Sequence, residues 1–98
     1  MEAARRYLVA YDSPSDPRRN RIAKALEQFG DRVQYSVFVV DVRPARLVRL
    51  RTMLESVMDD QEDSVLIADL GPVAAVDRRR FEFIGRRREP LGQGPIVL

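Results

Sequence analysis

The chain has 98 residues, of which 45% are hydrophobic and 33% are charged, and its formal net charge is +2. This length supports one domain with a single core, and the composition is that of a folded globular protein. No apolar run approaches the ~20 residues of a membrane span, and the N-terminal residues lack the apolar stretch of a signal peptide. We therefore expect a cytoplasmic protein that does not associate with membranes.

Cysteine and histidine are both absent from the sequence. Their absence excludes disulfide bonds, a thiol nucleophile, a Ser-His-Asp triad and an ordinary zinc site. A bound metal would have to be a hard cation held by oxygen ligands, which means magnesium, calcium or manganese. The groups left for acid–base chemistry are carboxylates, tyrosines, one lysine and water bound to such a metal.

The first elements predicted along the chain are a strand and a helix. Residues 7–11 combine aromatic, β-branched and aliphatic side chains, which is typical of a buried strand. Asp16 followed by Pro17 predicts a helix start with the aspartate as N-cap, and Gly30 predicts the helix end. The apolar residues that recur with helical spacing between them are Ile22, Ala25, Leu26 and Phe29.

The middle of the chain predicts more strand structure and a second helix. Residues 32–42 form either one long strand or two strands with a kink near Ser36. Pro44 opens the second helix, and the acidic residues 59–63 connect it to the next element. The apolar face of this helix consists of Leu47, Leu50, Leu54, Val57 and Met58.

The last third of the chain is less regular. Residues 64–68 predict another buried strand, ended by Gly71 and Pro72. Residues 80–84 alternate weakly, like a short edge strand, and the Gly/Pro-rich residues 90–98 predict a tail that ends in three apolar residues.

If residues 32–42 form a hairpin, the element order is βαββαβ. This order predicts an α+β, ferredoxin-like fold with two helices on one face of an antiparallel sheet, plus a short C-terminal strand. We expect a single domain over residues 1–98, with 90–98 as its tail. The other face of the sheet would be uncovered, and a small domain usually buries such a face against a second copy, so we expect a homodimer.

Asp12 is the first candidate functional residue, because it ends the predicted first strand just before a Ser-Pro-Ser loop. Its carboxylate either closes an Asx-turn with a neighbouring amide or binds a metal. One carboxylate does not build a magnesium site, since Mg²⁺ prefers octahedral oxygen ligands and usually two acidic or phosphate groups. A two-fold axis near Asp12 would bring two carboxylates to one hydrated cation that clamps a phosphodiester.

The basic residues form the second candidate feature. All but one of the 17 lysine and arginine residues are arginine, the exception being Lys24. Arginine suits phosphate recognition, and Arg18, Arg19 and Arg21 lie in the first turns of the predicted helix, where free amides also bind anions. They are either phosphate contacts or solvated partners of nearby acids. Further clusters lie at 46–51, 78–80 and 86–88, the last of which is either a binding element or a flexible tail.

The sequence resembles the CRISPR-associated Cas2 family, the small universal subunit of the spacer-acquisition machinery, over about residues 6–70. A strand that ends in Tyr-Asp is common, but its combination with the later motifs is quite specific. The residues that carry the resemblance are Tyr7-Leu8-Val9-Ala10-Tyr11-Asp12, Arg19-Asn20-Arg21, Leu26, Gly30 and Arg32-Val33-Gln34-Tyr35-Ser36-Val37-Phe38.

The resemblance implies a ferredoxin-like homodimer with metal-dependent endonuclease activity. By position, Asp12 of both protomers would be the catalytic residue and the ligand of Mg²⁺, with Mn²⁺ as an alternative. Ser13-Pro14 departs from the aliphatic residue that more commonly follows this aspartate. The positions that the family uses to support activity or contact nucleic acid correspond to Tyr11, Arg19, Arg21, Arg32 and Phe38.

The resemblance also implies a second role, in which the dimer bridges two dimers of the Cas1 integrase and supports the DNA to be inserted. Three hypotheses therefore stand: a magnesium-dependent nuclease, a non-catalytic scaffold for nucleic acid and integrase, and a ferredoxin-like toxin or dimerisation module. We expect the first two roles to coexist, with single-stranded RNA, duplex DNA or both as the nucleic acid. The apolar end of the tail docks either on the partner protomer or on the integrase.

Overall fold

The computed structural model of the protein describes residues 2–75 and 81–86. Its four strands form one antiparallel sheet of order β2-β3-β1-β4, which is the ferredoxin-like arrangement expected for a βαββαβ chain. The elements are β1 (Arg5–Asp12), α1 (Asp16–Glu27), β2 (Gly30–Gln34), β3 (Val37–Val42), α2 (Pro44–Val57), β4 (Ser64–Pro72) and a 3₁₀ turn (Val73–Ala75).

The strand-like run in the middle of the chain is a hairpin. A turn at Tyr35 and Ser36 separates β2 from β3, and the two strands pair antiparallel from Gly30 opposite Val40 to Gln34 opposite Val37. The βαββαβ order is therefore confirmed. It places β1 in the interior of the sheet, between β3 and β4.

The core lies between the sheet and both helices. Every second residue of β1 (Tyr7, Val9 and Tyr11) is buried, because successive strand side chains lie on opposite faces. These residues share one cluster with buried residues of β3, α1 and α2, so both helices cover the same face of the sheet. The other main members of that cluster are Phe38, Val40, Ile22, Leu26, Leu50 and Leu54.

The opposite face of the sheet is only partly covered. Leu66 on β4 remains 61% exposed, whereas Val39 on β3 is 1% exposed. Val39 is covered because Phe81 and Phe83, which follow β4 along the chain, pack against it and against Val33. The face of the sheet that was expected to be uncovered is therefore exposed over β4, whereas over the β2–β3 hairpin it is covered by Phe81 and Phe83.

The boundaries of α1 differ from those predicted. Its N-cap is Ser15, whose hydroxyl accepts a hydrogen bond from the Arg18 amide, and Asp16 lies in the first turn instead. Serine and aspartate are both good N-cap residues, and Ser15 is the cap because its backbone angles are extended. Gly30 does not end the helix, which stops at Glu27; it begins β2. A Cβ at Gly30 would lie 2.2 Å from the Val39 carbonyl oxygen, so glycine permits the close approach of β2 to β3.

The predicted short C-terminal strand is absent from the described residues 81–86. Phe81 and Phe83 pack through their side chains onto the face of the sheet, and their backbone does not join a strand there. Arg80, the arginines at 78–79 and the tail at 90–98 lie outside the described residues. None of the helices in the described part of the chain is long and apolar enough to cross a membrane.

Candidate active site

Asp12 is the exposed last residue of β1. It lies on the face of the sheet opposite the helices, because Tyr11 before it is buried in the core. No described residue hydrogen-bonds or ion-pairs with the Asp12 carboxylate. The Asx-turn interpretation therefore does not hold. The local turn is made by Ser13, whose Oγ accepts a hydrogen bond from the Ser15 amide at 3.1 Å.

Tyr11, Arg32 and Phe38 are brought together on the helix side of the sheet. The Tyr11 and Phe38 rings lie 6.2 Å apart between centroids, and the Arg32 guanidinium lies 5.2 Å from the Phe38 centroid in a cation–π contact. Arg32 Nη2 donates to the Tyr11 hydroxyl at 3.3 Å, and that hydroxyl donates to the Tyr35 carbonyl at 3.3 Å. This cluster links the end of β1 to the β2–β3 turn.

Burial decides what these three residues do. Phe38 is fully buried and Tyr11 is 6% exposed, so their side chains support the sheet end from within and do not face a ligand. Arg32 is only partly buried, but its Nε is enclosed and has no hydrogen-bond partner among the described residues. Of the three, Arg32 keeps unused hydrogen-bonding capacity.

The two arginines predicted at the start of α1 differ in their surroundings. Arg19 donates from Nη1 to the Ser13 carbonyl at 2.8 Å and pairs with Asp16 through Nη2. Arg21 is exposed, and no described residue pairs with it. Arg19 therefore already serves the loop after β1, while the guanidinium of Arg21 is available to an incoming phosphate.

A buried ion pair beside Asp12 was not predicted from the sequence. Arg18 donates to Asp63 from Nε at 2.7 Å and from Nη2 at 3.2 Å, and the Asp63 side chain is completely buried. The hydrogen bond from Arg18 is the main reason that the pKa of Asp63 falls to about 2. The available signal was the position of Asp63, the last acid before the strand at 64–68 that was predicted to be buried. That prediction was wrong, because β4 lies at the edge of the sheet and contains no buried residue.

Tyr35 is a further residue at this end of the sheet that was not predicted as a site residue from the sequence. Its side chain is 65% exposed on the β2–β3 turn, while its carbonyl accepts the Tyr11 hydroxyl. An exposed aromatic ring at the same end of the sheet as Asp12 offers a stacking surface for a base. An aromatic residue at a hairpin turn was the only sequence signal for it.

The chemistry of the donor set fits a magnesium ion only if two copies of the chain contribute. The described residues contain no group of three or more acidic side chains able to hold a metal. One carboxylate from each of two chains would match the habit of Mg²⁺, which keeps several waters and uses one or two carboxylates with substrate phosphates. Asp12, exposed at the end of an interior strand, is the candidate for that carboxylate.

Comparison with known proteins identifies the family. The profile of CRISPR associated protein Cas2 matches residues 5–75. The chain is 42% identical to the CRISPR-associated endoribonuclease Cas2 3 of Rhodospirillum rubrum, with 93% of this chain and 98% of the relative covered. It is 39% identical to the CRISPR-associated endoribonuclease Cas2 of Nitratidesulfovibrio vulgaris, with 94% and 88% covered.

Solved structures agree with the sequence matches. The crystal structure of Streptococcus pyogenes Cas2 superposes with a TM-score of 0.73 at 33% identity, over 82% of this chain and 99% of that one. A second solved structure, a hypothetical protein from Thermus thermophilus, superposes with a TM-score of 0.73 at 35% identity, over 88% and 96%. From its sequence and its fold alike, the chain belongs to the Cas2 family of CRISPR-associated proteins.

Proposed function

We propose that this protein is a metal-dependent endoribonuclease in which Asp12 of two protomers binds Mg²⁺, or alternatively Mn²⁺, at the cleavage site. The observation that carries the proposal is the state of Asp12: an exposed carboxylate, free of described partners, at the end of an interior strand. The side-chain hydrogen bond of the turn after β1 is made by Ser13 and not by Asp12. RNA is preferred as substrate because relatives at 42% and 39% identity are named endoribonucleases.

The proposed homodimer is supported by the face of the sheet that carries Asp12. Over β4 this face exposes Leu66, and Leu8 and Ala10 on β1 are only partly buried. Apolar surface next to a carboxylate that needs a second carboxylate favours burial against another copy of the chain. A two-fold axis through this face would place the two Asp12 residues near each other.

In the proposed reaction, the Asp12 carboxylates would hold the cation and would thereby orient the scissile phosphate. When bound, Mg²⁺ supplies Lewis-acid activation of water and neutralises developing charge on the phosphodiester. Arg32, which is partly buried and donates to the Tyr11 hydroxyl at this end of the sheet, is the group that would bind a flanking phosphate. Tyr11 and Phe38 keep the sheet end in place beneath it.

A scaffold role, in which the dimer binds duplex DNA and the Cas1 integrase, is favoured by a separate observation. Arg21 on α1 and Arg49 and Arg51 on α2 are all exposed on the helix layer, which covers the face of the sheet opposite Asp12. A phosphate backbone bound there would not touch the catalytic carboxylate. The two functions therefore use different sides of one molecule.

Cleavage of matched RNA and DNA oligonucleotides, with Mg²⁺ and with EDTA, tests the nuclease proposal. We expect Asp12→Asn to abolish metal-dependent RNA cleavage while folding and RNA affinity stay unchanged, because the amide is isosteric but a poor ligand. Asp31→Asn, an exposed strand carboxylate of the same sheet, is the matched control and should cleave normally. Full activity of Asp12→Asn would refute the catalytic proposal, and failure of the wild type to bind any nucleic acid would favour a dimerisation or toxin-type module.

A further inference from the structure

Side-chain hydrogen bonds fix the chain just beyond the last residue pair of strands β1 and β4. Asp12 opposite Ser64 is the last pair in the register of these strands. The next residue of each strand, Ser13 on one side and Asp63 on the other, lies immediately beyond that pair. Ser13 also helps to lower the pKa of Asp63, and its hydroxyl donates to the Ser15 carbonyl at 3.5 Å, so the residues just past this last pair are fixed on both strands.

The Asp63 carboxylate is itself held from two other parts of the chain. Arg18 on α1 donates to both of its oxygens, at 2.7 and 3.2 Å, and the Asp59 amide donates to Oδ2 at 2.8 Å. With no exposed surface, the carboxylate has no room to exchange these partners for water. Asp63 therefore fixes the connection before β4 to the N-terminal turn of α1.

Ser13 is fixed at both its side chain and its backbone. Its Oγ accepts the Ser15 amide at 3.1 Å, and its carbonyl accepts Arg19 Nη1 at 2.8 Å. The residue is only 4% exposed, although both of its chain neighbours are exposed. The peptide that follows Asp12 is thus immobilised, while the Asp12 carboxylate beside it stays free.

We propose that Arg18 and Asp63 are positioning residues that hold the Asp12 backbone, so that the two carboxylates of the dimer meet one cation at a fixed separation. This inference rests on the proposed nuclease function. Neither residue touches metal or substrate; they act through the short loop of residues 13–15, whose far end Ser15 caps the Arg18 amide. Loss of an outer partner of a metal ligand typically costs 10–100-fold in metal affinity or activity.

A purely structural role is the alternative, and the chain contains a matched control for it. Arg5 pairs with Asp69 at the far end of the same two strands, through Nε at 3.0 and 3.1 Å. Asp69→Asn removes an Arg–Asp pair from the same two strands. From the rise per residue of a strand, this pair lies about 20 Å from Asp12. It should lower stability and leave the metal requirement unchanged.

The experiment compares Asp63→Asn, Arg18→Lys and Asp69→Asn at temperatures where all three are folded. For both variants of the buried pair we expect the Mg²⁺ concentration for half-maximal cleavage to rise 10–100-fold, with KM for RNA within twofold of wild type. Arg18→Lys keeps a cation beside the buried carboxylate, so it tests the proposal even if Asp63→Asn does not fold. The double variant should be no worse than the poorer single one, since the two residues act as a unit.

A readout independent of catalysis completes the test. Native-state hydrogen exchange at the Ser13 amide should accelerate at least tenfold in Asp63→Asn but not in Asp69→Asn. Unchanged exchange and an unchanged Mg²⁺ requirement would overturn the positioning role, whatever the activity. Cleavage that survives Asp12→Asn would instead refute the nuclease proposal, and the exchange result would still report whether the ladder end is held.

Discussion

Tyr11 and Asp12 are consecutive in β1, yet their side chains serve opposite faces of the sheet. Tyr11 is buried beside Phe38 at a centroid distance of 6.2 Å, and Asp12 is exposed. The two-residue repeat of a strand produces this division. One residue anchors the strand end in the core, and its neighbour presents a carboxylate whose position is set by that anchor.

Phe38→Ala should therefore act through stability. Removing a fully buried phenylalanine leaves a cavity, and we expect a loss of about 3–5 kcal/mol in the free energy of unfolding, measured by urea denaturation. Tyr35→Ala, in the exposed turn, should change that free energy by less than about 0.5 kcal/mol. If Phe38→Ala were as stable as wild type but defective in RNA binding, Phe38 would be a contact residue and not a core residue.

Asp41→Asn tests the buried end of β1. Arg6 is 2% exposed and donates to the two Asp41 oxygens at 2.7 Å each, so removal of the carboxylate leaves a buried guanidinium without its counter-charge. We expect a loss of about 3–5 kcal/mol in the free energy of unfolding. Asp69→Asn, which breaks the exposed pair with Arg5, should cost less than about 1 kcal/mol. Equal costs would show that Arg6 reaches solvent.

Stability should fall in acid because of Asp63. Its pKa is depressed to about 2, chiefly by the hydrogen bond from Arg18, so the folded state releases a proton that the unfolded state binds more tightly. The resulting stabilisation is complete above the ordinary aspartate pKa of about 4 and is lost as the pH falls toward 2. Urea midpoints between pH 5 and pH 2 should show a steeper decline for wild type than for Asp63→Asn. Parallel curves would contradict the assignment.

The elements that could be predicted are those whose sequence signals lie within one short stretch of the chain. Helical spacing of apolar residues and the Pro44 start located α2, and the run of aromatic and β-branched residues at 7–11 located β1. The Arg18–Asp63 pair was not predictable, because its members are 45 residues apart and meet only when α1 packs beside the turn before β4. The start of α1 was misplaced by one residue because Ser15 and Asp16 are both good caps, and only the backbone conformation selects between them.

The sequence left two roles open for Asp12, and its role as a metal ligand stays a prediction. Its residue type and place suit both an Asx-turn and a ligand. The choice depends on whether a neighbour makes the turn, and Ser13 does so. The turn is thus made by the serine that departs from the commoner family residue at this position, and the Asp12 carboxylate is not used in it.

Gly30→Ala should be strongly destabilising, although the backbone of Gly30 has no positive φ. The added Cβ would lie 2.2 Å from the Val39 oxygen and 2.8 Å from Val40 Cγ2, so β2 must move away from β3. We expect a loss of at least about 1–3 kcal/mol in thermal or urea unfolding. Gly71→Ala, where nothing lies within 4 Å of the new atom, carries only the strain of its φ of 108° and should cost about 1–2 kcal/mol. A neutral Gly30→Ala would mean that the hairpin relaxes freely.

Salt dependence separates the roles of the two arginines on α1. Arg21 is exposed and unpaired among the described residues, so each phosphate contact it makes should contribute about 0.9 to the slope of log K against log salt on duplex DNA, and about 0.7 on a single strand. Arg21→Ala should lower the slope by that amount without affecting stability. Arg19 is engaged by Asp16 and the Ser13 carbonyl, so Arg19→Ala should change the slope less and lower the Tm more. An unchanged slope in Arg21→Ala would move the nucleic-acid surface away from α1, toward the arginines at 78–80.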